Sequence, residues 1–249
     1  MSMRFYAMKT FVLFFIFSQF FFACATVDRD LNTAEGLYDY ARDFDENERY
    51  EIALTKYAEV KNKFPYSKLA TESELAIADV YYKRESYAEA EVSYQNFRDL
   101  HPKHPRSDYV LYKVAMSFYM QLPETTDRDL TAGKDAIYHF DQLIKLYPKS
   151  QYVIECKTKR DEIYNKLAEK EIYIADFYYN QEMYMAALRR YESSIAKYPG
   201  LGFDPRSHYG AFLSAKKLKD EQKQKYHAQL LMKKYPKSDE AQKVKSEGL

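Results

Sequence analysis

The sequence predicts an all-α fold, a right-handed superhelical solenoid of about five helix pairs. Three observations carry that expectation. Prolines preceded by a ring recur at Phe64-Pro65, His101-Pro102, Tyr147-Pro148, Tyr198-Pro199 and Tyr235-Pro236, spaced 37, 46, 51 and 37 residues apart. Twelve residues before each of the first four stands an alanine (Ala53, Ala90, Ala136, Ala187), and eight before stands a ring (Tyr57, Tyr94, Phe140, Tyr191). Glycine is scarce, 6 of 249 residues, while 30% of the chain is charged. That composition disfavours phosphate-cradling loops and β-sandwiches. It favours helices joined by short connections, with few tight backbone turns.

The elements follow in chain order. Arg4 and Lys9 precede an apolar run from Phe11 to Ala23, so residues 1–23 read as a secretory signal peptide, with Met3 and Met8 as alternative starts. The run is shorter than the roughly 20 residues a transmembrane helix needs, and Asp28, Arg29 and Asp30 follow it. Residues 24–33 begin with Cys24 and continue as a polar tether without periodicity. Residues 34–245 hold the repeats.

Within the repeats, Ala41, Ala78 and Ala175 stand twelve residues ahead of the second-helix alanines, with Phe44, Tyr81 and Tyr178 three further on. Alanines let the two helices of a pair approach closely, rings fill the space between pairs, and proline ends the second helix because it cannot continue the hydrogen-bond ladder. The third unit departs from the template. From Ala115 to Ala136 the interval is 21 residues, which places about nine extra residues around Pro123-Glu124-Thr125-Thr126-Asp127. The fifth unit has Gln224 at the alanine position and reads as a terminal cap.

Composition and motifs also exclude functions. With 38 Lys+Arg against 37 Asp+Glu, the chain offers no field for a nucleic-acid partner. No nucleophile and base share a motif and no glycine loop opens a helix, so neither an enzyme nor a cofactor is expected. His101-Pro102-Lys103-His104 reads as a solvated turn and not as a metal pair, because the proline breaks the helical i,i+4 geometry. Cys156 reads as an ordinary helix thiol.

The small-aromatic-small-aromatic-proline pattern resembles the tetratricopeptide repeat. That resemblance implies that first helices line a concave side, where Tyr38, Tyr82, Tyr109, Tyr112, Tyr119 and Tyr179 form a peptide groove, while Tyr81 and Tyr178 pack inside. Tyrosine packing between repeats is the alternative for the groove set. A tyrosine-lined groove presents apolar area while each hydroxyl bonds a peptide backbone.

Cys24, after a small residue that closes the apolar run, resembles the lipidated cysteine of bacterial lipoproteins, although Phe21 and Phe22 replace the usual residues of that pattern. Ala25 in place of aspartate then implies sorting to the outer membrane. The stretches His104-Pro105-Arg106-Ser107-Asp108-Tyr109-Val110-Leu111-Tyr112 and Tyr147-Pro148-Lys149-Ser150-Gln151-Tyr152, with the third-repeat insertion and the cysteine ahead of five repeats, resemble the BamD family. These are the tetratricopeptide lipoproteins of the outer-membrane β-barrel assembly (BAM) machine.

The resemblance implies a non-enzymatic, periplasm-facing subunit, held by lipid on Cys24. Its expected partners are unfolded outer-membrane β-barrel proteins, the periplasmic domains of BamA and other BAM lipoproteins. Arg190, in Arg190-Tyr191-Glu192, matches the family's BamA-docking arginine. A pilotin for secretin assembly and a peptidoglycan-associated scaffold are the alternatives.

Overall fold

A computed structural model describes residues 29–247. The signal peptide and Cys24 lie outside the described residues. Those described form eleven helices and no strand: α1 (Ala34–Glu46), α2 (Tyr50–Lys63), α3 (Lys68–Lys83), α4 (Tyr87–Leu100), α5 (Ser107–Met120), α6 (Thr131–Leu146), α7 (Val153–Asn180), α8 (Tyr184–Lys197), α9 (Asp204–Leu218), α10 (Glu221–Lys234) and α11 (Asp239–Ser246). The chain divides into two compact units, the first ending at Ala70 and the second running from Thr71.

In the first unit α1 packs on α2 through Leu37, Ala41, Ala53, Tyr57 and Val60, all buried. Thr33 caps α1, its Oγ1 accepting from the Gly36 amide at 3.1 Å. The described part of the tether is not loose. Arg29 pairs with Asp43, and the Asp30 carbonyl accepts from the Thr33 amide at 3.1 Å. Gly36 makes room for this turn, since a Cβ there would stand 2.2 Å from the Asp30 carbonyl oxygen.

In the second unit the repeat alanines Ala78, Ala90, Ala115, Ala136, Ala175 and Ala187 are fully buried, with Tyr94, Phe140 and Tyr191 beside them. Burying a large apolar side chain contributes about 1.5–3 kcal/mol, so three such rings carry much of the inter-helix adhesion. Each second helix stops at the predicted place. The residue before each proline, from Phe64 to Tyr235, has φ between -126° and -131° and ψ between 48° and 59°, outside the helical region that a following proline disfavours. In four of these turns the residue two beyond the proline donates its amide back to the cap carbonyl, as Ser150 does to Tyr147 at 2.9 Å.

Tight turns are more numerous than the glycine count implies. Glu48, Glu85, Glu182 and Lys219 adopt left-handed backbone, with φ of 56–62°, between the helices of four pairs. In each, the following amide reaches back across the helix end, Arg49 to the Phe44 carbonyl and Ser86 to that of Tyr81. The strain of a side chain at that position, roughly 1–2 kcal/mol, is carried without glycine.

The long interval between Pro148 and Pro199 is filled by helix. α7 runs for 28 residues, twice the length of α8, because nothing in that stretch breaks a helix. Its added turns hold the third-repeat insertion: Lys166 Nζ donates to the carbonyls of Pro123 (3.1 Å) and Glu124 (2.8 Å), and Lys170 donates to that of Arg128. At the C-terminal end α11 packs on α9 and α10 with Ala241 and Val244 buried, closing the array one short helix beyond the fifth pair.

Candidate functional site

The candidate tyrosines of the second unit lie on three successive first helices, α3, α5 and α7. Tyr82 on α3 is half-buried, packs against the clusters around Leu75 and Leu111, and meets Tyr87 edge-on at 5.3 Å. On α5, Tyr109, Tyr112 and Tyr119 recur at three and seven residues, a helical stripe. Tyr112 stacks on Tyr152 at 4.4 Å with the planes 13° apart, and Tyr109 tilts onto the same ring at 6.0 Å. Lys113 ties these rings together, its Nζ standing 3.5 Å from the Tyr82 centroid and 5.9 Å from that of Tyr109. Two turns on, Tyr119 donates its hydroxyl to Glu162, and Lys159 stands 4.8 Å over its ring.

The structure thus brings Tyr82, Tyr109 and Tyr112 together, with Tyr119 further along α5. Tyr38 belongs to the first unit, where its ring meets Tyr57 at 5.4 Å. Tyr179 is half-buried near the end of α7, edge-on to Tyr184 at 5.4 Å. Tyr81 and Tyr178 are half-buried against the cores of their pairs.

The hydroxyls do something other than the sequence suggests. Tyr109 donates to Asp79 Oδ1 at 2.6 Å, the oxygen that also accepts from the buried Tyr94 at 2.5 Å. Its hydroxyl belongs to packing between repeats and is not free to donate to a peptide, which corrects the groove assignment for that atom. Tyr112 faces Glu155, and Tyr119 donates its hydroxyl hydrogen bond to Glu162. Burial, helped by these carboxylates, raises the phenols above their ordinary range, and that of Tyr82 is pushed up to about 12. What the face offers a ligand is ring surface, phenol oxygens able to accept, and the cations Lys113 and Lys159.

Lys113 was missed in the sequence. The signal was its place four residues after Tyr109, which puts an ammonium on the tyrosine stripe. The histidine turn also differs from its reading. His101 Nε2 lies 2.6 Å from Glu74, and His104 stands edge-on to the Phe97 ring at 5.1 Å and 3.6 Å from Glu72. Both are half-buried and partnered instead of solvated. Burial pushes the Cys156 thiol up to about 12, the state of an inert core cysteine.

Arg190, on α8, is a second candidate contact. Its Nη1 pairs with Glu171 of α7 at 3.1 Å, and Lys197 reaches the other oxygen of that carboxylate at 3.5 Å. The arginine side chain keeps 42% of its surface exposed while Glu171 keeps 13%, so the pair presents the guanidinium outward.

Paired helices closed by proline, with rings along successive first helices, define a tetratricopeptide-like helical-repeat protein. More particularly, the chain belongs to the YfiO family of outer membrane lipoproteins, whose sequence model matches residues 30–230. It is 31% identical over 193 residues to the outer membrane protein assembly factor BamD of Neisseria meningitidis serogroup A, covering 71% of this chain and 72% of that one. It is 30% identical over 233 residues to BamD of Neisseria gonorrhoeae, with 87% of each covered. Among solved structures it is similar to the TPR2AB domain of yeast Sti1 in its pHSP90 complex, at 12% identity and a TM-score of 0.49, covering 86% of this chain and 82% of that one.

Proposed function

We propose that this chain is a non-enzymatic subunit of an outer-membrane β-barrel assembly complex, anchored by lipid on Cys24 and facing the periplasm. In this reading the tyrosine face of α3, α5 and α7 holds a segment of an unfolded β-barrel protein, and Arg190 docks the periplasmic domains of BamA. Other BAM lipoproteins complete the assembly.

The observation that carries the reading is the row of rings in which Tyr109 and Tyr112 pack on Tyr152 while Lys113 bridges Tyr82 and Tyr109. Tyrosine gives large contact area at low entropic cost, and the phenol oxygens accept from peptide amides. No bond is made or broken. Holding the substrate on a subunit docked to BamA raises its local concentration at the barrel, and the rate gain is that of tethering.

The test is affinity purification of the detergent-solubilised full chain. BamA should co-purify, and Arg190→Glu should reduce its recovery about tenfold or more through charge reversal at a contact. Glu171→Gln, which removes the internal partner of Arg190, should leave recovery intact. Co-purification of a secretin, or capture on cell-wall sacculi in place of BamA, would contradict the reading.

A further inference from the structure

Lys113 is unusual among the cations of this chain. It is half-buried on α5, and its ammonium sits on the face of Tyr82, 3.5 Å from the ring centroid and 5.9 Å from that of Tyr109. Burial lowers its affinity for a proton, and Lys83 adds to that, while the carboxylates of Asp79 and Glu155 oppose it from a distance. Neither is an ion-pair partner. Asp79 accepts from the phenols of Tyr94 and Tyr109, while Glu155 stands near that of Tyr112. Among the described residues no carboxylate oxygen lies within ion-pair distance of Lys113.

A cation held by rings, with its ammonium donors unmet, has already lost much of its hydration. An arriving anion then gains a charge-assisted bond without displacing an internal partner.

We propose that Lys113 is the specificity-determining anchor for a carboxylate of the bound polypeptide, supplied either by its C-terminus or by an acidic side chain. The adjoining residues of the ligand lie along Tyr82 and Tyr112. This assignment rests on the peptide-binding reading above and narrows it. Rings alone select apolar segments, whereas Lys113 fixes where along the face such a segment stops.

The experiment uses the full mature chain and short peptides of alternating apolar residues that end in phenylalanine. One set is a free acid and its C-terminal amide. A second set is the amide with one internal glutamate or, in its place, glutamine. Wild type should bind the acid about tenfold more tightly than the amide if the C-terminus is the ligand, or the glutamate peptide about tenfold more tightly than its glutamine counterpart if a side chain is.

Lys113→Met keeps the stem and should abolish whichever preference is seen, and Lys113→Arg should restore it. A preference that survives in Lys113→Met overturns the assignment, as does equal binding by wild type within both sets. The tyrosine groove stands in those cases if Tyr82→Ala still weakens every peptide. Absence of binding to wild type by all four peptides overturns both readings.

Discussion

Tyr109 of α5 bonds Asp79 of α3 in the position where Arg206 of α9 bonds Asp176 of α7. Both partners lie thirty residues beyond their aspartate. Each aspartate also accepts from the tyrosine fifteen residues on, Tyr94 or Tyr191, in the second helix of its own pair. One carboxylate therefore joins three helices, once through two phenols and once through a phenol and a guanidinium.

Asp79→Ala should therefore destabilise the chain by about 2 kcal/mol, because it leaves the Tyr94 hydroxyl buried without an acceptor. Tyr109→Phe removes one donor and keeps the ring, and should lose about 1 kcal/mol. Denaturant titration of the two variants checks the order. Equal losses would mean that the carboxylate is not the shared element.

Glu85 holds left-handed backbone at the end of α3. Glu85→Gly should raise stability by about 1 kcal/mol, since glycine adopts that conformation without the Cβ clash. A shift of the unfolding midpoint to higher denaturant at unchanged slope is the expected result.

Gly210 faces Tyr191 so closely that a Cβ would stand 2.3 Å from the ring. Gly210→Ala should lower stability by about 1–3 kcal/mol through overpacking. Adding Tyr191→Phe should not rescue it, because the clash is with the ring and not the hydroxyl.

Burial pushes His139 and His208 down to about 4. At His139, Arg98 adds to the lowering and Asp135 opposes it. At His208, buried His227 and Lys234 add while Asp204 opposes. An unfolded histidine titrates near about 6.5. The folded state thus binds fewer protons between these values, and the stability from both groups is complete above about pH 6.5 and drains away as pH falls toward about 4. Histidine ring-proton NMR should show both groups neutral at pH 6, with midpoints near the lower value.

Much of the architecture was legible in the sequence because close helix approach tolerates little besides alanine. Ala78, Ala90, Ala136 and Ala187 sit buried where the spacing put them. The 28-residue α7 was less legible, since the wide interval between Pro148 and Pro199 marks added residues without saying whether they form loop or helix. The left-handed turns escaped because Glu48, Glu85, Glu182 and Lys219 carry no glycine signature.

For the candidate site, resemblance to the tetratricopeptide repeat assigned Tyr82 to one first helix, α3, and Tyr112 and Tyr119 to the next, α5. It left unread the carboxylates that meet the phenols of α5, Asp79 of α3 at Tyr109 and Glu155 and Glu162 of α7 at Tyr112 and Tyr119, at separations no local motif encodes. Tyr38 shows the same limit, because resemblance to a groove does not state which compact unit a residue belongs to.

The most direct test is a fluorescence titration of the mature chain with a labelled peptide from the carboxy-terminal strand of an outer-membrane β-barrel protein. Tyr82→Ala is compared with Tyr138→Ala, which removes an exposed tyrosine from the second helix α6. The account predicts that Tyr82→Ala weakens binding about tenfold, in keeping with the loss of a central aromatic contact, while Tyr138→Ala binds as wild type. Equal affinity for Tyr82→Ala and wild type, with both folded, would contradict it.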